Sequence, residues 1–90
     1  MQNPRAETQI EYLYKGESEM NRKYVESSMI TSIGYDNSSS TLEIEFKSNH
    51  QVWQYLDVPE YVWFELESAT SVGKYWHANI KNNYSENRIS

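Results

Sequence analysis

The middle of the chain alternates apolar and polar residues, which is the pattern of β-strands with one face in a core. In residues 41–47, leucine, isoleucine and phenylalanine alternate with Glu43, Glu45 and a lysine, so the glutamates are expected on a solvent-facing side. Apolar runs lie on either side, at 29–35 and 51–56, separated from this segment by turn-forming residues. The pattern predicts a three-stranded antiparallel β-meander.

The length of the second turn decides where the aromatic rings of the third strand point. If Asn49–His50 is a two-residue loop, Phe46 lies opposite Trp53 and Ile44 lies opposite Tyr55. A slip of one residue would turn both rings to the other face. The two-residue loop gives the more consistent packing, so both rings are expected to be at least partly buried.

Two helices are predicted after the strands. Residues 57–60 have proline and carboxylates, which favour a helix start. The buried stripe of this first helix is expected to be Val62, Leu66 and Ala69, with Trp63 beside it. Thr70 and Ser71 then end it and cap a second helix over 72–83, whose apolar side is Val72, Trp76, Ile80 and Tyr84. The fold class is therefore α+β, a three-stranded meander followed by two C-terminal helices packed on one face.

The first 24 residues form a polar N-terminal extension that is expected to be partly flexible. Asn3–Pro4 is typical of a helix start and Gly16 of a helix end, which favours a short helix. An edge strand is the alternative, because Ile10, Tyr12 and Tyr14 alternate with polar residues.

Composition restricts the class of protein. The chain has 90 residues, enough for one small domain, and its apolar volume lies mainly in eight tyrosines, three tryptophans and two phenylalanines. It has no cysteine, which excludes disulfides and thiol chemistry. No secretory signal or membrane-spanning stretch is readable, so a cytoplasmic protein without a membrane partner is expected.

The aromatic residues divide between core and surface by strand register and helix spacing. Those assigned mainly to the core are Phe46, Trp53, Tyr55, Trp63 and Trp76. Those assigned to the surface are Tyr12, Tyr14, Tyr61, Phe64 and Tyr75.

Several motifs in order resemble the KTSC domain, a family named for its occurrence at the C-terminus of some lysyl-tRNA synthetases and also found as small bacterial and phage proteins. The resemblance covers residues 25–84, leaving 1–24 as an extension and 85–90 as a C-terminal tail. The motif segments are 25–28, 33–36, 42–46, 53–55, 57–59, 71–76 and 79–84. The family's Tyr-x-Tyr motif corresponds here to Trp53-Gln54-Tyr55, and His50 stands where a turn glycine is common. The resemblance implies RNA binding only as a suggestion, because the family's function is not established.

Catalysis is not expected from these residues. His50 and His77 have no further ligand at metal-binding spacing, and the three glycines form no phosphate-binding loop. Glu43 and Glu45 are spaced like paired carboxylates, but charged residues on a solvated strand are far commoner. A non-catalytic protein with no metal and no cofactor is therefore expected.

One candidate binding surface lies at the C-terminal end. The net charge is −5 overall, and residues 24–70 carry −7 whereas residues 71–90 carry +2. The candidate contacts for RNA or a nucleotide are Lys74, His77 and Lys81 on one helix face, with Tyr75, Asn79 and Tyr84 nearby. Two or three cations support only weak, salt-sensitive binding, and these residues could equally serve packing and solubility.

A second candidate surface belongs to a different class, a protein-interaction module or a phage-encoded inhibitor. Tyr61 and Phe64 lie opposite the buried stripe of the first helix, among glutamates. An exposed aromatic pair with an acidic rim suits a protein partner or a homodimer. The N-terminal segment could instead cover this pair.

Overall fold

The computed structural model describes residues 20–90. Its strands are β1 (Lys23–Tyr24), β2 (Ile30–Asp36), β3 (Thr41–Phe46), β4 (Val52–Tyr55) and β5 (Glu86–Arg88), and its helices are α1 (Glu60–Glu67) and α2 (Val72–Asn79). The strands form one antiparallel sheet in the order β1-β2-β3-β4-β5. The predicted α+β class, the three central strands and both helices are confirmed. The sheet has five strands, so the prediction of three was wrong.

The two additional strands are short edge strands without a hydrophobic pattern. β5 has the sequence Glu-Asn-Arg, is exposed along its length, and lies within the predicted tail. Main-chain bonds hold it on β4, and the Leu56 N–H donates to the Ser85 carbonyl at 2.9 Å beside it. β1 pairs two residues of the predicted N-terminal extension with β2. The predictions for residues 3–16, including Tyr12 and Tyr14, fall outside the described residues.

The register between β3 and β4 differs from the prediction by two residues. Ile44 lies opposite Trp53 and Leu42 opposite Tyr55, because the turn spans four residues rather than two. The His50 N–H donates to the Phe46 carbonyl at 3.0 Å, and His50 has a left-handed φ of 60°. A two-residue type I′ turn needs positive φ at both positions, and Asn49 does not adopt it. A shift of two residues leaves every side chain on the same face of the sheet. Tyr55 is therefore buried and Trp53 half-buried on the core side, as predicted.

The core lies between one face of the sheet and the two helices. Its fully enclosed members include Ile33, Leu42, Ile44, Val58, Leu66 and Ile80. Phe46, Trp53 and Trp63 pack against it half-buried, and Trp76 is 9% exposed. Trp63 stacks on Tyr35 with ring centroids 5.8 Å apart. The assignment of these rings to the core is confirmed.

The helices end earlier than their apolar periodicity predicts. The Ser71 side chain caps α2 by accepting a hydrogen bond from the Lys74 N–H at 3.2 Å. α2 stops at Asn79, and Asn82 has a left-handed φ of 67° that ends the helical path. Lys81 therefore lies in the turn that follows α2. Similarly, Ala69 lies beyond the end of α1, so only Val62 and Leu66 form the buried stripe.

The polar face of the sheet is covered, which contradicts the expectation of a solvated Glu43–Glu45 face. The Glu43 side chain is completely buried and forms an ion pair with Arg22 from the segment before β1. Gln54 donates to the other Glu43 oxygen at 2.9 Å, and Ser32 donates to Glu45 at 2.9 Å. The charges are thus satisfied by neighbouring side chains, as burial requires.

Candidate nucleic-acid interface

Three of the predicted cationic contacts follow one side of α2 and the turn after it. Lys74, His77 and Lys81 are all exposed, and the term basic strip is used for these three residues. The Lys81 ammonium lies 5.8 Å from the centroid of the Trp76 ring, and the His77 ring lies 6.2 Å from the same ring. Two members of the basic strip, His77 and Lys81, therefore lie beside the Trp76 ring.

A cluster of aromatic rings borders a cavity of about 200 Å³ that is open to solvent, between the end of α2 and strands β3 to β5. The cavity, called the aromatic pocket here, is lined by Phe46, Trp53, Tyr55, Trp76, Lys81, Asn82 and Glu86. It joins the two aromatic residues of the family motif to one lysine of the basic strip. Sequence reasoning had grouped Trp53 and Tyr55 apart from Lys81, and it had assigned no binding role to Phe46, Trp76 or Glu86.

Side-chain contacts fix the walls of the aromatic pocket. The Trp76 indole N–H donates to the Tyr55 hydroxyl at 3.2 Å, and Phe46 meets Trp76 edge to face with centroids 5.0 Å apart. On the other wall the Trp53 indole N–H donates to the Gln51 side chain at 3.2 Å. Rings held in this way present preformed flat surfaces, which limits the ordering that a ligand would impose on binding.

The Tyr55 hydroxyl keeps its proton well into the alkaline range. Burial raises the pKa of Tyr55 to about 12; the Trp76 hydrogen bond acts in the opposite direction, and the Glu86 carboxylate adds to the rise. A neutral phenol can both accept and donate a hydrogen bond. Tyr55 is therefore a neutral hydrogen-bonding group among the rings that line the aromatic pocket.

The remaining predicted contacts of α2 lie on its opposite flank. The Tyr75 hydroxyl donates to the Glu65 carboxylate of α1 at 2.5 Å, and the Asn79 side chain donates to the Tyr75 carbonyl at 3.1 Å. Burial raises the pKa of Tyr75 and of Tyr84, and for Tyr75 the hydrogen bond to Glu65 acts in the same direction. The structure does not bring these residues into the lining of the aromatic pocket: Tyr75 contacts α1, Asn79 bonds back to Tyr75, and Tyr84 lies beyond the end of α2.

Tyr61 and Phe64 of α1 are exposed, as the helix spacing predicted. Their exposed fractions are 62% and 52%, and exposed Glu60 and Glu65 lie on the same helix. This aromatic and acidic surface is distinct from the aromatic pocket.

A second cavity lies on the opposite face of the sheet. It has a volume of about 190 Å³ and is lined by Arg22, Tyr24, Ser32 and Glu45. Arg22 donates to Ser32 at 3.0 Å as well as pairing with the buried Glu43. These contacts connect the segment before β1 to the sheet. In the sequence, the feature that could have indicated this close approach is Gly34 within β2. A Cβ there would lie 2.7 Å from the Asn21 carbonyl, so only glycine admits the crossing segment.

Residues 20–90 contain no group of three or more histidine or acidic side chains placed to hold a metal ion. Within the same range, no helix combines the length and the apolar character needed to cross a membrane.

Comparisons with known proteins agree with this fold. The family model of the KTSC domain matches residues 26–84. Lysine–tRNA ligases of Trichormus variabilis and of a Nostoc species are 37% and 35% identical over 65 residues, which cover 72% of this chain and 11% of each ligase. A KTSC domain protein from Yersinia pestis, known from a crystal structure, is 39% identical with a TM-score of 0.76, over 79% of this chain and 99% of that one. The match to the ligases is thus confined to a small part of their length.

Proposed function

The chain belongs to the KTSC domain family, and we propose that it is a non-catalytic cytoplasmic protein that holds one nucleotide, free or within single-stranded RNA, in the aromatic pocket. The observation that carries the proposal is the junction of Trp53, Tyr55 and Trp76 with Lys81 in one cavity. Aromatic side chains that stack on bases beside cations that meet phosphates are the usual means of binding single strands.

The volume of the aromatic pocket favours a small flat ligand. Its volume of about 200 Å³ lies below the roughly 300–1,000 Å³ of pockets that enclose drug-sized molecules. A single base can enter between the rings, while its sugar and phosphate remain outside. Stacking on aromatic side chains contributes about 1–3 kcal/mol per base.

The position of the basic strip favours contact with a phosphate backbone along the outside of α2. Lys81 lies at the aromatic pocket, and Lys74 and His77 continue from it along the helix. Two phosphate contacts imply that affinity for single strands falls about sevenfold between 50 and 200 mM salt. With one stacked base and two cations, the interaction is weak and salt-dependent.

The relatives favour RNA as the source of the nucleotide. The two ligases that contain a matching segment are named for tRNA, although this chain corresponds to only 11% of each. The aminoacylation activity of those enzymes is not proposed for this chain. An RNA-contacting role is compatible with both a segment of a ligase and a separate small protein.

Binding of a fluorescent single-stranded RNA octamer, measured by anisotropy at 50 mM salt, tests the proposal. The pair Lys74→Glu and Lys81→Glu is expected to weaken binding about tenfold or more, and Trp53→Ala about fivefold or more. The pair Lys23→Glu and Lys47→Glu has the same net charge and serves as the matched control. If the wild-type chain binds no RNA, or the two lysine pairs behave alike, the proposal is wrong.

A second candidate function rests on the exposure of Tyr61 and Phe64. With Glu60 and Glu65 on the same helix, this surface suits a protein partner that presents arginine or lysine side chains, which can contact aromatic faces and carboxylates together. Replacement of Tyr61 and Phe64 by alanine is then expected to abolish capture of such a partner and to leave RNA binding unchanged. Capture that survives both substitutions would contradict this candidate.

A further inference from the structure

The Tyr55 hydroxyl is a polar group in the wall of the aromatic pocket. Tyr55 is only 2% exposed, and its hydroxyl oxygen accepts the indole proton of Trp76. A phenol has in addition one O–H proton to donate. Among residues 20–90 the Tyr55 hydroxyl accepts this hydrogen bond and donates none, although Tyr55 lines the cavity. A buried polar group in this state is best satisfied by a ligand atom that accepts a hydrogen bond.

A carboxylate lines the same cavity as this hydroxyl. Glu86 of β5 is directly opposite Tyr55 of β4 and lines the same cavity. An ionised carboxylate has two acceptor oxygens and no donor. Tyr55 and Glu86 therefore offer one donor and two acceptors in the lining of one cavity.

We infer that the aromatic pocket selects guanine among the bases, an inference that rests on the proposed function. The Watson–Crick edge of guanine carries the carbonyl O6, the ring N1–H and the amino N2–H in sequence. O6 accepts from the Tyr55 hydroxyl, and the two N–H groups donate to the two oxygens of Glu86. In this one orientation of guanine, the Tyr55 hydroxyl proton and both carboxylate oxygens of Glu86 have hydrogen-bond partners.

The other bases satisfy fewer of these groups. Adenine and cytosine each present one ring acceptor next to one amino group, so one carboxylate oxygen of Glu86 receives no hydrogen bond from the base edge. Uracil presents O4 and N3–H, but its O2 then lies against the remaining carboxylate oxygen and is repelled. A site that is built to bond a ligand N–H discriminates strongly against analogues that lack it.

The test compares RNA octamers that differ at one base. The wild-type chain is titrated with an octamer of adenosines and with the same octamer carrying one central guanosine, inosine or uridine. We expect the guanosine octamer to bind about tenfold tighter or more than the all-adenosine octamer. Inosine lacks the N2 amino group, so the affinity of the inosine octamer is expected to lie between those of the guanosine and all-adenosine octamers. Guanosine and adenosine monophosphates, titrated in parallel, show whether the free nucleotide is selected in the same way.

Glu86→Gln is the decisive variant because Glu86 is exposed on an edge strand and its replacement spares the core. It is expected to make the affinities for the guanosine octamer and the all-adenosine octamer equal. Glu60→Gln makes the same chemical change on α1, outside the aromatic pocket, and is expected to keep the preference. If the wild type binds all octamers equally, or Glu86→Gln still prefers guanosine, the inference fails while the proposed function stands. If no octamer binds, both fail.

Discussion

Replacement of Arg22 by methionine tests the covered polar face of the sheet. The Arg22 side chain is 11% exposed and the Glu43 side chain is fully buried, and they form an ion pair. Methionine fills much of the same space but removes the guanidinium, so the Glu43 carboxylate stays buried without it. Loss of one partner of a buried ion pair destabilises a protein by about 3–5 kcal/mol.

That loss is large for a domain of this size. A chain of 90 residues has a free energy of unfolding of about 5–13 kcal/mol, so Arg22→Met removes a quarter or more of it. The melting temperature is expected to fall by about 12 °C or more. Urea unfolding followed by tryptophan fluorescence gives the free energy, and calorimetry gives the melting temperature.

Two further variants make the result specific. Lys23→Met breaks the neighbouring ion pair with Glu67, whose nitrogen and oxygen are 3.1 Å apart and whose side chains are 56% and 29% exposed. An exposed pair of this kind contributes less than about 1 kcal/mol. The double variant Arg22→Met with Glu43→Gln removes both charges and is expected to recover at least half of the loss. If Arg22→Met lowers the free energy of unfolding by no more than Lys23→Met does, the account of the covered polar face of the sheet is refuted.

Two other predictions concern backbone packing and alkaline stability. Gly34→Ala is expected to destabilise the domain by about 1–3 kcal/mol, because its Cβ would lie 2.7 Å from the Asn21 carbonyl oxygen. Gly73→Ala in α2 is the control. The nearest contact of its Cβ is at 3.3 Å, so it should lower the free energy of unfolding by less in the same urea assay. The folded pKa of Tyr55 is about 12 and the ordinary value is 10, so the folded state keeps a proton that the unfolded state loses. The resulting stabilisation is complete below pH 10 and is lost as pH rises towards 12, by up to about 3 kcal/mol. Unfolding at pH 9 and 11.5 should show a smaller drop for Tyr55→Phe than for the wild type, and equal drops would contradict the assignment.

The apolar side of the sheet could be predicted from sequence because alternation reports which residues share a face. The rings of Trp53 and Tyr55 were assigned correctly even though the turn was two residues longer than predicted, since a shift of two residues preserves facing. Alternation does not report what covers the other face. Glu43 is buried there because Arg22 reaches it from a polar segment that carries no periodicity.

The candidate site could be predicted only in part, for a related reason. Helical spacing predicted a common face for Lys74 and His77, which are both exposed on α2, but it grouped Tyr75 with them although that side chain contacts Glu65 of α1. Glu86 was missed because β5 has three exposed residues and is positioned by main-chain pairing with β4. Such pairing leaves no local pattern in the sequence.

The three tryptophan indole N–H signals in a proton–nitrogen NMR spectrum test the central claim most directly. Trp53 and Trp76 line the aromatic pocket, whereas Trp63 stacks on Tyr35 and lies 6.0 Å from the Lys23 ammonium. Titration with a guanosine-containing RNA octamer is expected to shift the Trp53 and Trp76 signals together and to leave Trp63 in place. Shifts confined to Trp63, or no shift of Trp53 and Trp76 at saturating RNA, would contradict nucleotide binding in the aromatic pocket.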